Sequence, residues 1–412
     1  MRQRLARSLL DVLYFLGVWH LLLSVERWVG RRRHVIVLSY HHLRDPKDKE
    51  PRLSREAEGT KLVSFERHIR LLARWYEPAS ERDLESLLEG ERPLDRDRFL
   101  VTFDDGYRDN RTLAGPILQR HAVPAVIFVA TGFVDSKRTF WWLRLDEIVK
   151  GLPRQAWSEA VALVEGVAET PPGGPAALAD FSSRRTARAW LMETLRNLAS
   201  EPREALLDKL ASLALPGAES PVPLLTWEEM RQMQRREGFS FGGHTHTHPN
   251  LAHLSADEIA VELRQCARIL EEQLGVAPRA FAYPFGAYHQ AGVQKVAHGG
   301  YRLAFTTRPG DVVPGQCSRY ELPRFGLWRS GRGEIAATIV ALKLLKYFPR
   351  AAAVLLARLL GEPLERVLQE PQGTKFAPEP SGDSRLQPNR PGAAAPNGSL
   401  RGVRCAGSYE EL

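Results

Sequence analysis

The sequence predicts an α/β fold, a parallel sheet or barrel, on three observations. Short apolar β-like runs alternate with amphipathic helical runs across residues 34–330. Hydrophobic residues make up 43% of the 412-residue chain and charged residues 26%. That is enough apolar material for a large core, and it excludes a wholly disordered or collagen-like chain. One stretch, 139–222, breaks the rhythm with Ala-rich and Pro-rich helical sequence and reads as an insertion.

The elements follow in order. His34–Tyr40 (HVIVLSY) is a buried strand. Phe65, Ile69 and Leu72 mark a helix after Ser64. Phe99–Phe103 (FLVTF) and Pro124–Ala130 (PAVIFVA) are strands. The insertion begins with Phe140, Trp141 and Trp142, which either pack or line a sugar-binding rim. Thr226 and Glu229 form a capping-box pair that opens a helix. Ser240–Gly243 is a short strand. Ser255 and Glu258 form a second capping box, and Ile259, Leu263, Cys266 and Leu270 give that helix its face, so Cys266 reads as core. Phe281–Tyr283 and Leu303–Thr306 are further short strands.

The two ends differ from the middle. Residues 1–33 hold seven arginines against Asp11 and Glu26, a net of +5 out of the +8 of the whole chain. These charges flank an apolar run from Leu9 to Val25. That run is short for a membrane span, which needs about 20 residues, and lacks a small-x-small cleavage site. It reads as an interfacial helix on the cytoplasmic side of an anionic membrane, with an exported, signal-anchored form as the alternative and packing on the protein's own body as a third possibility. No interleaved basic and aromatic run suggests a nucleic-acid partner. Residues 331–366 carry two short amphipathic helices, with Ile335, Ile339, Leu342 and Leu345 before Pro349 and Val354, Leu355 and Leu359 after it. Residues 371–412, rich in Pro, Gly, Ser and Asn, read as a disordered tail. The three cysteines, Cys266, Cys317 and Cys405, are too few for a disulfide scaffold or a four-thiolate zinc site.

Three segments carry chemistry. Asp104 and Asp105 end the strand FLVTF and precede Gly106 and Tyr107. Carboxyl ends of parallel strands open into the ligand crevice, so this pair offers one carboxylate to a metal and the other to a water. The run Gly243-His244-Thr245-His246-Thr247-His248-Pro249 holds three of the chain's 12 histidines. His244 and His248 meet on one helical turn, or all three histidines line one face of a strand. Imidazole and carboxylate oxygen suit Zn, Co, Ni, Mn or Fe, and two His with one Asp leave positions for water and substrate. Phe281-Ala282-Tyr283-Pro284-Phe285-Gly286 is an aromatic strand ending in a turn that can expose a backbone N–H to an oxyanion.

TFDDGY, HTHTH and FAYPFG in this order resemble the polysaccharide deacetylases, the carbohydrate-esterase group that shares the NodB homology domain. YHHL at 40–43, VPAVIFVATGF at 123–133 and LLTWEEM at 224–230 add to the resemblance, which covers residues 34–330. It implies a distorted (β/α) barrel with fewer strands than a full barrel. It implies a divalent metal, zinc first, on Asp105, His244 and His248, and Asp104 as general base toward the attacking water. It implies an N-acetylated glycan as substrate, met by Tyr107, Tyr283, Pro284 and Phe285. The chain departs from the family pattern twice. Ala282 stands where many members carry an arginine in RPPYG, and Arg324, in LPRFG, is the candidate to supply that guanidinium. The late Leu-x-His motif that supplies the general acid is absent, with no histidine after His298. His41, His42 and His246 are the candidates, and the strand-end position puts His42 and its neighbour His41 ahead.

The alternatives in view are an O-acetyl esterase, an enzyme for another amide on the same scaffold, and a non-catalytic carbohydrate-binding relative. The intact Asp-Asp pair and the His-x-x-x-His spacing weigh against the last. Neither the glycan nor the oligomeric state is legible.

Overall fold

A computed structural model of the chain describes residues 33–326 apart from 46, 48–58, 137, 168–180, 216–222 and 237, together with residues 18 and 21. The amphipathic helices of 331–366, the tail and nearly all of the basic N-terminal stretch lie outside the described residues. None of the helices described is long and apolar enough to cross a membrane.

The strands are β1 (Val35–Tyr40), β2 (Leu43–Arg44), β3 (Thr60–Lys61), β4 (Glu77–Pro78), β5 (Arg98–Phe103), β6 (Ala125–Val129), β7 (Phe239–Gly243), β8 (Ala280–Ala282), β9 (Leu303–Phe305) and β10 (Phe325–Gly326). Eight of them form one sheet, with the path β10-β1-β5-β6-β7-β8-β9 and β4 paired to β5. The pairings along it are parallel. The segment after β9 brings the two edges together, because Leu322 bridges Phe305 while Phe325 pairs with Leu38 of β1. The sheet thus curls into the distorted barrel expected. β1 and β6 are buried along their whole length, which is why they read as unbroken apolar runs.

Side chains alternate across the strands and divide the core into layers. Ile36, Leu38, Tyr40, Phe99, Val101, Phe103, Ile127 and Val129 pack outward. They meet α1 (Leu62–Trp75), α3 (Gly115–Arg120), α8 (Trp227–Arg236) and α9 (Ala256–Leu274), and Cys266 of α9 lies in this core as expected. Val35, Val37, Leu100, Val126, Phe128, Ala280 and Ala282 point inward. This parity decides which residues reach the barrel mouth, as described below.

The insertion is helical, with α4 (Trp141–Gly151), α5 (Trp157–Glu165), α6 (Phe181–Arg196) and α7 (Ser200–Leu213) around its own apolar core. Phe140, Trp141 and Trp142 are buried in that core. The buried Arg188–Asp146 pair, 2.7 Å, ties α6 to α4. Both expected capping boxes are present, with Glu229 N–H donating to Thr226 Oγ1 at 3.2 Å and Glu258 N–H to Ser255 Oγ at 3.3 Å.

At the foot of the barrel, α2 (Glu81–Glu89) opens on a third capping box, Ser80 with Asp83. Its first residue, Glu81, is buried and its Oε2 has no hydrogen-bond partner among the described residues. Burial pushes its carboxyl from 4.5 up to about 7. The folded state therefore holds this proton more tightly than the unfolded chain, and stability is lost as pH rises from 4.5 through 7. Glu81→Gln is expected to be more stable than the parent above pH 7, by up to about 3 kcal/mol, with the difference vanishing below pH 4.5. Denaturant unfolding at pH 4.5 and pH 8 checks this.

Candidate active site

The carboxyl ends of β1, β5, β7 and β8 meet at the barrel mouth. Leu100 and Phe103 lie in the inner and outer layers respectively. Two-residue periodicity then aims Thr102 and Asp104 inward. Asp104 N–H continues the ladder to Tyr40 O at 2.8 Å. Arg324 enters from the segment just before β10 and is 1% exposed. Its Nη1 donates to Asp104 Oδ1 at 2.7 Å and its Nη2 to Asp104 Oδ2 at 2.8 Å. Its Nε donates to Thr306 O at 2.9 Å, Nη1 also reaches Thr102 Oγ1 at 3.1 Å, and the guanidinium lies 5.6 Å over the Phe128 ring. Burial alone would raise the Asp104 carboxyl, but Arg324, with His41 and His244, outweighs it and holds the group well below the usual carboxylate range.

Asp105 turns away from Asp104 because its backbone is left-handed, φ 72°. Its Oδ1 is buried and accepts no well-formed hydrogen bond among the described residues. It lies 3.6 Å from His244 Nε2 and 3.4 Å from His248 Nε2, and the two Nε2 atoms are 3.2 Å apart. β7 ends at Gly243, so His244, His246 and His248 do not share a strand face. Instead the chain turns between His244 and His248, with positive φ at Thr245 and His248. Of the six non-glycine residues with positive φ among those described, four (Asp105, Thr245, His248 and Phe285) belong to this mouth. Such backbone costs about 1–3 kcal/mol per residue and gathers at functional sites.

The turn is held from outside by Glu262 of α9. Its carboxylate accepts from His246 N–H at 2.7 Å, Thr247 N–H at 2.8 Å and Thr247 Oγ1 at 2.6 Å. Thr245 Oγ1 accepts from His248 N–H at 3.0 Å. Glu262→Ala is expected to lower stability by about 3 kcal/mol, since it strands two backbone donors. Thermal unfolding measures the loss, and Glu262→Gln should recover part of it.

Three ligand atoms on Asp105, His244 and His248 lie within 4.8 Å of one another, and all three residues are buried. Ligands 2.0–2.2 Å from a tetrahedral ion are about 3.4 Å apart, and the three edges here are 3.2, 3.4 and 3.6 Å. The donor set therefore fits a divalent transition metal with room for further ligands. Burial, then the neighbouring His248, pushes the His244 imidazole down to about 4, so it is neutral near pH 7 and its lone pair is free.

The remaining expected residues are placed as follows. His41 Nε2 lies 3.7 Å from Asp104 Oδ2, and its side chain is 51% exposed. His42, the expected acid, points elsewhere. Its Nδ1 is 2.5 Å from Asp109 Oδ2 and its ring packs on Tyr107 at 5.7 Å. Parity is the reason, because His41 continues the inward set Val35 and Val37 and His42 the outward set Ile36, Leu38 and Tyr40. His246 Nδ1 pairs with Thr131 Oγ1 at 2.9 Å. Tyr107, Tyr283 and Pro284, expected to meet the substrate, are buried. Tyr283 shares the outward parity of Phe281, and its hydroxyl donates to Tyr320 O at 2.9 Å. The Tyr107 hydroxyl accepts from Trp142 Nε1 at 3.3 Å. Phe285 is half-buried at the mouth, its ring 4.7 Å from that of His248.

The family model described as polysaccharide deacetylase matches residues 91–170 and 177–304. The chain belongs to the polysaccharide deacetylase family. The matched span contains Asp104, Asp105, His244, His248 and the 281–286 segment, while His41 precedes it and Arg324 follows it. Solved structures similar to this deacetylase include IcaB from Ammonifex degensii, at 18% identity over 74% of this chain and 96% of that one, with a TM-score of 0.47. The Streptococcus pyogenes deacetylase PplD in complex with acetate matches at 20% identity over 72% and 93%, TM-score 0.45. A de-N-acetylase from Aggregatibacter actinomycetemcomitans matches at 15% identity over 71% and 94%, TM-score 0.44. No curated protein matches the chain.

Proposed function

We propose that this deacetylase removes N-acetyl groups from a bacterial envelope glycan or exopolysaccharide with a divalent metal, zinc first, on Asp105, His244 and His248. The observation that carries the reading is the set of edges among the three ligand atoms, 3.2–3.6 Å, beside a carboxylate gripped by a guanidinium. When bound, the ion supplies Lewis acidity toward the acetyl carbonyl and acidifies water in the site.

The chain's own residues do the rest. Asp104, held ionised by Arg324, accepts a proton from the attacking water. Arg324 fixes the carboxylate in one orientation and stays charged throughout. In this reading a backbone N–H near Phe285 donates to the oxyanion that develops on the acetyl group. His41, beside Asp104 and open to solvent, gives a proton to the departing sugar amine as the C–N bond breaks. His41 thus takes the acid role in place of His42, whose Nδ1 is engaged by Asp109. We propose in addition that residues 1–33, apolar and with a net charge of +5, associate the enzyme with the cytoplasmic side of an anionic membrane.

The test is acetate release from N-acetylglucosamine oligomers against release from O-acetylated xylan. Release from the amide substrate is expected. Release from the ester alone would make the chain an O-acetyl esterase and sink the N-acetyl reading.

A further inference from the structure

The two imidazoles that face Asp105 are held in different ways. His244 Nδ1 lies 2.7 Å from Ala282 O, which fixes the tautomer and leaves Nε2 toward Asp105. His248 Nδ1 is buried and has no hydrogen-bond partner among the described residues. A ligating imidazole almost always anchors its second N–H on a carbonyl or carboxylate, and that anchor sets the ring's orientation. His248 has none.

Aromatic rings enclose it instead. The Trp142 ring lies 4.8 Å from it at 62°, Phe285 at 4.7 Å and 83°, and Phe140 at 5.5 Å and 73°. These are edge-to-face contacts, which favour one ring orientation over its rotations. Trp142 is itself held on two sides. Phe140 stacks on it at 4.4 Å and 11°, and its Nε1 donates to the Tyr107 hydroxyl at 3.3 Å. Tyr107 follows Asp105 by two residues, so one indole touches one ligand and is tied to the loop that carries another. Trp142 belongs to the insertion, as the second residue of α4.

We infer that Trp142 is a positioning residue that holds His248 in its ligating orientation by ring contact, in place of the hydrogen bond that Nδ1 lacks. The insertion is then part of what builds the metal centre. This inference rests on the metal reading given above and goes beyond it, because it concerns how one ligand is aimed.

The test measures zinc dissociation from the full chain by competition with a chromophoric chelator, and the visible spectrum of the cobalt-substituted protein. Trp142→Leu removes the ring and is expected to weaken zinc binding by about 10–100-fold, the usual cost of losing an orienting neighbour, and to alter the cobalt bands. Trp142→Phe keeps a ring against His248 and should retain most of the affinity and the wild-type spectrum. A folded Trp142→Leu protein with wild-type zinc affinity overturns the inference. Should that variant fail to fold, Phe285→Leu removes the neighbouring ring, which touches both His248 and Trp142, and unchanged affinity there overturns it equally. Wild-type protein that takes up no zinc overturns the metal reading and this inference with it. Wild-type uptake with undiminished uptake by the variants overturns this inference alone.

Discussion

Asp104→Asn is expected to reduce the turnover number by about 10²–10⁴-fold, the range associated with losing a positioned general base, while leaving bound metal intact. The amide keeps the shape of the carboxylate and leaves Asp105, His244 and His248 untouched. It cannot accept the water's proton. It also removes the charge that both Arg324 nitrogens grip at 2.7 and 2.8 Å. Stranding a buried guanidinium in this way costs about 3–5 kcal/mol, lessened here by the bonds Arg324 keeps to Thr306 O and Thr102 Oγ1. The variant should therefore unfold at lower temperature yet retain the parent's metal stoichiometry by elemental analysis. Normal turnover would remove Asp104 from the mechanism. Loss of metal would make it a ligand.

Arg324→Leu is the second large effect. It leaves Asp104 buried without its guanidinium, with only the half-exposed His41 ring at 3.7 Å, and removing one partner of a buried pair again costs about 3–5 kcal/mol. The carboxyl loses the influence that outweighs burial, so burial then moves its pKa upward. The sign follows directly. In the parent the ionised form is favoured on folding, so stability is present above the unfolded pKa and lost only as pH falls well below it. In the variant the protonated form is favoured, and stability falls as pH rises. Turnover should drop at neutral pH with the acidic limb of the rate profile moved to higher pH. Arg324→Lys keeps a charge but not the fork, and should recover stability better than rate. A pH profile unchanged in Arg324→Leu would contradict the role given to the pair.

What was legible in the sequence, and what was not, follows from strand physics. Strands β1, β5 and β6 were readable because a parallel sheet covered on both faces makes apolar runs. The two-residue strands β2, β3 and β4 leave no such trace. Ser80 and Asp83 carry a readable signal for α2, the same Ser-x-x-acid spacing as Ser255 and Glu258. In the site, Asp104, Asp105, His244 and His248 were visible as residue types at strand ends, where chemistry collects. Arg324 was reached from a missing arginine at Ala282, and only the closing of the barrel after β9 brings it to Asp104.

The choice between His41 and His42, and the burial of Tyr283, turned on strand parity. Counting by two from Val35 and Val37 aims His41 inward, and counting by two from Phe281 sends Tyr283 outward beneath the helices. That count was available in the sequence once the inner face was known. The face itself was not, because every residue of β1 is buried on one side or the other. The grip of Glu262 on the His244–His248 turn spans 15 and 16 residues and leaves no local pattern. Trp142 could be read as packing, but what it packs against is set by where the insertion folds back.

The most direct test of the central claim is acetate release from N-acetylglucosamine oligomers by the full chain before metal removal, after it, and after zinc is returned. Release that disappears with the metal and returns with zinc is the result predicted by a centre on Asp105, His244 and His248. Undiminished release from protein verified to be metal-free would contradict it.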